Sequence, residues 1–117
     1  MATFLSAATP LPAAKREELV SSWLAAEVAV SDLGHFVCKD RGRREQLDWA
    51  VREFKAMIGD FEKRFGPLTD EEEGQVPLME SAYYNGCADS RPERWDMLLT
   101  HADEKLTEFE THIRSAK

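Results

Sequence analysis

Nowhere in this chain do about 18 apolar residues follow one another, so no segment is expected to cross a bilayer as a helix. Also missing are a Gly-rich phosphate loop, a nucleophile elbow and any Glu-x-x-His pair of the kind that builds metal sites in helical bundles. Without them no catalytic residue and no cofactor can be named, and a non-enzymatic role is the expectation. Cysteine is scarce: two residues, Cys38 and Cys87, are too few for a disulfide framework, which points to reduced thiols in a cytoplasmic protein. Basic charge is in the minority, with 15 Lys and Arg against 22 Asp and Glu and a net charge of −7. That balance disfavours a general affinity for phosphate backbones, so neither nucleic acid nor membrane is an expected partner.

What the chain does have suits a folded domain. Hydrophobic residues make up 43% and charged residues 32% of 117 positions, and a domain of this size buries roughly two-thirds of its unfolded surface. The opening "MATFLSAATPLPAA" has neither a basic n-region nor an apolar run of signal-peptide length before its prolines. Residues 1–11 therefore read as a flexible arm and 12–117 as a single domain.

Apolar spacing follows the helical period in three long segments, which predicts an all-α antiparallel helical bundle. The first begins near Pro12 and sets Leu19, Trp23, Ala26, Val30, Leu33 and Val37 in one seam. The second carries Leu47, Ala50, Val51, Phe54, Met57, Ile58, Phe61 and Phe65 and stops at Gly66-Pro67. The third opens at "SRPE", with Ser90 as cap and Glu93 reaching back, and runs through Trp95, Leu98, Leu99, Ala102, Leu106, Phe109 and Ile113. Between the second and third, Gly74 and Pro77 limit the chain to one or two short helices, one starting at Thr69 with Glu72 completing a capping box and one over Pro77 to Tyr84.

"LGHFVCKDRGRR", residues 33–44, sets a possible metal half-site beside the densest basic cluster. His35 and Cys38 could in principle be joined by Cys87 and His101 in a Cys2His2 set. His35, however, lies about 180° from the seam, and zinc sites normally bring two tight pairs. The stretch reads instead as an inter-helix connection, with Gly42 available as the helix stop and Asp40 at a helix terminus. No metal is expected. Acid-base chemistry would need a buried titratable group, and none of the three stripes contains one by this reading. The acidic run Asp70 to Glu73 suits the first turn of a helix.

The most informative feature is apolar residues outside the main stripes. Val20, Leu24 and Val28 form a second row on the first helix, about 130° from the Leu33 and Val37 seam. Trp49 lies about 140° from the Phe54 stripe, where a large aromatic ring meets water or a partner. Of Tyr83 and Tyr84, about 100° apart on a helix, one packs inward and the other, taken as Tyr84, faces a partner. The expected function is protein binding by surface occupation, as an inhibitor, an immunity or antitoxin factor, or an adaptor, with a second copy of the chain among the candidate partners. Val20, Leu24, Val28, Trp49 and Tyr84 supply contact, and Lys39, Arg41, Arg43 and Arg44, together with the acidic run, orient the partner. The alternative is a bundle holding a small apolar ligand or a metal ion, with Met57, Met79 and Met97 lining the pocket. A third option is a regulatory fragment that works with a separate catalytic chain.

Overall fold

The computed structural model describes residues 11–76 and 84–116. Among these are four helices and no strand: α1 (Ala13–Leu33), α2 (Arg41–Phe65), α3 (Asp70–Gln75) and α4 (Pro92–Ser115). Three long helices with a short one between the second and third form the expected all-α bundle. The arm expected over 1–11 falls outside the described residues except for Leu11, which packs against the core, and so does the second short helix expected over Pro77 to Tyr84, apart from Tyr84 itself.

Helix α1 opposes both α2 and α4. Those two run in the same direction: Gln46 meets Trp95 near their starts, and Phe61 meets Phe109 further along. The core is built on aromatic side chains that the helical period brings to one side of each helix. Trp23 of α1 meets Phe61 edge-on with centroids 5.0 Å apart and Phe109 at 5.8 Å, while Phe54 and Phe109 lie 5.9 Å apart. Leu19, Val30, Leu33, Leu47, Leu106 and Ile113 complete it, all buried. Loss of one such ring would cost about 3–5 kcal/mol.

Several boundaries stand where local chemistry puts them. Thr69 and Glu72 form the reciprocal capping box at the start of α3. Gly66, at φ 82°, ends α2 in a conformation that favours glycine. Asp40 is the N-cap of α2, its carboxylate accepting from the Arg43 N–H at 3.0 Å. Others differ from expectation. Gly34, not Gly42, terminates α1, and Gly42 sits in the first turn of α2. Val37 is thus beyond the helix, yet the turn returns its side chain to the core, fully buried. Ser90 does not cap α4. Arg91 holds the N-cap position without capping the helix through its side chain, which bonds Asp89 instead, and Pro92 enters the first turn.

The cysteines are not free thiols: Cys38 and Cys87 are joined in a disulfide between the α1–α2 corner and the loop before α4. Their sequence separation of 49 hid the pair from any local reading. Backbone bonds lace the same two segments together. Cys38 N–H donates to Gly86 O (2.7 Å), Gly86 N–H to Gly34 O (2.8 Å) and Ala88 N–H to His35 O (3.0 Å). Cys38 and Lys39 both adopt positive φ, 56° and 57°, a left-handed geometry that costs residues with a side chain about 1–2 kcal/mol each. The clamp holds them there, with the Lys39 N–H donating to Asn85 Oδ1 at 2.9 Å.

Candidate functional site

The parallel run of α2 and α4 leaves an open groove of about 990 Å³ between them. Gly42, Glu45, Gln46 and Trp49 face it from α2, spaced at three- and four-residue steps that keep them on one helical side. Pro92, Trp95, Asp96, Leu99, Thr100 and Asp103 do the same from α4, and Asp40 and Arg43 close the end nearest the corner. Trp95 is buried and donates its indole N–H to Gln46 Oε1 at 2.6 Å, which ties the floor of the groove to both helices. Trp49 is 41% exposed, a large aromatic ring on the lip. The lining is therefore mixed: indole and aliphatic surface within, carboxylates around it.

The residues singled out from sequence are not brought into one surface. Of the row on α1, Val20 is buried and so offers no contact surface, and Val20, Leu24, Thr69 and Glu72 line one surface hollow. Leu24 is half-buried, and Val28 is exposed. This row lies on α1, which contributes nothing to the groove between α2 and α4. Tyr84 is exposed and its ring lies 5.3 Å from that of His35.

The basic corner also separates. Lys39 and Arg41 are exposed and Arg44 is half-buried. Arg43, expected to steer a partner, is instead a clamp within the fold. Its guanidinium donates to Phe36 O and Ser90 O, both at 2.9 Å, and lies 5.4 Å from the Trp95 ring centre. A five-donor fork suits several carbonyls at once, so its charge is used internally.

Two ionisable groups escaped sequence reasoning. Glu27 is only 3% exposed, although no titratable residue was expected in the apolar stripes. Its Oε1 accepts a long bond of 3.4 Å from Trp23 Nε1, and Oε2 has no partner among the described residues. Burial pushes its carboxyl above the usual range, partly opposed by the Trp23 bond. The signal was present: at four residues beyond Trp23 and seven beyond Val20, Glu27 lies within about 40° of both. Arg16 is the second, a half-buried cation at the opposite end of α1 from the corner. It bonds Glu72 of α3 and the carbonyls of Phe65 and Pro67.

For metals, the disulfide occupies the two sulfurs that a Cys2His2 set would need. Among the described residues no three His, Cys, Asp or Glu side chains converge on one point. Of the methionines, Met57 is half-buried against the core, Met97 is exposed, and Met79 falls outside the described residues. No described helix is long and apolar enough to cross a membrane. No protein-family model, no curated protein and no solved structure matches this chain.

Proposed function

We propose that this chain is a non-enzymatic protein-binding module that works by occupying or covering a partner through the α2–α4 groove. The observation that carries the reading is Trp49, whose ring stands 41% exposed at the lip of a groove floored by Trp95 and Leu99. An exposed tryptophan beside a preformed concave surface has the composition of a binding hot spot, in which an aromatic anchor and its dry surroundings dominate affinity. An inhibitor, an immunity or antitoxin factor and an adaptor would all act this way. The Cys38–Cys87 bond favours an oxidising compartment over the cytoplasmic setting expected from the cysteine count.

The test is affinity capture from the source cell with the wild-type chain and with Trp49→Asp, alongside light scattering of each. Trp49 is 41% exposed and stands outside the buried core, so the variant should remain folded, which its thermal unfolding curve checks. The reading expects a partner, or a second copy, held by the wild type and lost by the variant. Equal retention by both would remove the groove from consideration.

A further inference from the structure

The charges around the groove define what it can accept. Four carboxylates line it, from Asp40, Glu45, Asp96 and Asp103, against the single guanidinium of Arg43. Arg43 is engaged with two carbonyls and the Trp95 ring. Asp40 caps α2, and Glu45 faces only a 3.7 Å contact with the exposed Arg41. Asp96 and Asp103 have no ion pair among the described residues. Seven residues apart on one side of α4, they stand about 10 Å from each other along the helix axis.

The geometry points to a cationic segment of another protein as the occupant of the groove. Its Lys or Arg side chains would pair with Asp96, Asp103 and Glu45, and one would lie against the exposed indole of Trp49, one turn beyond Glu45. The stretch of α4 from Pro92 to Asp103 is about 16 Å long, which suits about five extended residues or three helical turns of a partner and exceeds any simple amine. Phosphate-bearing ligands are repelled by the same carboxylates. A second copy brings a further net charge of −7, so long-range repulsion opposes it while a basic partner is drawn in. This inference rests on the groove being the binding surface.

An oligo-arginine peptide is the probe, with an oligo-glutamate peptide as control, titrated by calorimetry at low and high salt. Oligo-arginine should bind, oligo-glutamate should not, and affinity should fall as salt rises. The double variant Asp96→Asn with Asp103→Asn should weaken oligo-arginine binding by about tenfold. Asp70→Asn with Glu73→Gln makes the same change of net charge on α3 and should leave affinity within roughly twofold. If both double variants weaken the peptide equally, bulk charge explains the binding and the proposal is overturned. It also fails if a partner captured through Trp49 is indifferent to Asp96→Asn with Asp103→Asn, in which case the groove stands and the cationic occupant does not. A dimer seen by light scattering and abolished by that same variant would replace the basic partner with a second copy.

Discussion

Arg16 and Glu72 meet through two hydrogen bonds, Nε to Oε2 at 2.9 Å and Nη2 to Oε1 at 2.8 Å, across 56 residues of sequence. The same guanidinium donates to Phe65 O and Pro67 O and lies 5.0 Å from the Phe61 ring centre. One side chain of α1 thereby holds the end of α2, the turn after it and the short α3. Although α3 buries none of its residues, this link ties it to α1, and Leu68 and Val76 on either side of it pack against the core.

The Glu72 carboxyl is accordingly held down to about 2, chiefly by the Arg16 hydrogen bond, from an ordinary value of 4.5. A depressed carboxyl contributes stability that is complete above the ordinary value and disappears as pH falls through the folded one. Urea denaturation of wild type and Glu72→Gln should therefore differ by about 1–3 kcal/mol near neutral pH, since hydrogen bonds to charged groups are of that size. The gap should narrow below pH 4.5 and close near pH 2. A gap that is constant across that range would show that the ionised pair contributes nothing.

Glu27 works in the opposite sense. Its carboxyl is raised by burial, so the cost of keeping it ionised is present above its folded value and is relieved as pH falls toward the ordinary 4.5. Glu27→Gln keeps an acceptor for the Trp23 indole and removes the charge. The variant should be more stable than wild type by about 1 kcal/mol at pH 8, with the advantage shrinking on acidification. Chemical denaturation at a series of pH values measures this. A variant less stable than wild type at high pH would mean that the carboxylate has a partner it needs.

How much of this was legible in the sequence depends on the range of the interaction concerned. The Thr69–Glu72 capping box and the Gly66-Pro67 stop are local, and both stand where the sequence places them. The helical period marked Trp23, Phe54, Phe61 and Phe109 as core and set Trp49 apart, and the burial pattern agrees. Periodicity carried the first seam to Val37, but a period cannot tell a helix from a turn that returns a side chain to the same core. The groove was not legible because α2 and α4 face each other only in the folded chain, and their register rests on long-range contacts such as Gln46 with Trp95. Arg43 was counted as a surface charge, whereas the carbonyls of Phe36 and Ser90 that engage it are set by the tertiary fold.

Gly86 is a position where a single methyl group should matter. A Cβ there would come within 2.9 Å of His35 O and 3.0 Å of His35 Cα, and 2.5 Å of Tyr84 Cε2. The tyrosine ring can swing aside, but the His35 backbone is held by the Ala88 N–H. Gly86→Ala should destabilise the fold by about 1–3 kcal/mol, the usual cost of overpacking. Hydrogen exchange should accelerate at the Cys38, Gly86 and Ala88 amides, which make the loop bonds, before it does in the α1–α4 core. Unchanged exchange at those amides would mean that the loop is not held by this close approach.

The disulfide tests the same corner through the unfolded state. Cross-linking residues separated by 49 positions restricts the denatured chain, and the loop-entropy relation puts the effect at about 4 kcal/mol, an upper figure where the denatured chain keeps structure. Cys38→Ser, Cys87→Ser and the double variant should all lose similar stability, because either single change already breaks the cross-link. The oxidised wild type should be two hydrogens lighter than its reduced form by intact mass, and adding a dithiol should bring its denaturation curve toward that of the double variant. The backbone bonds from Cys38, Gly86 and Ala88 do not need the sulfurs, so the folded state should persist in every variant under mild conditions. A dithiol that leaves the wild-type curve unmoved, once intact mass shows the bond is reduced, would mean that these backbone bonds alone set the corner's contribution to stability.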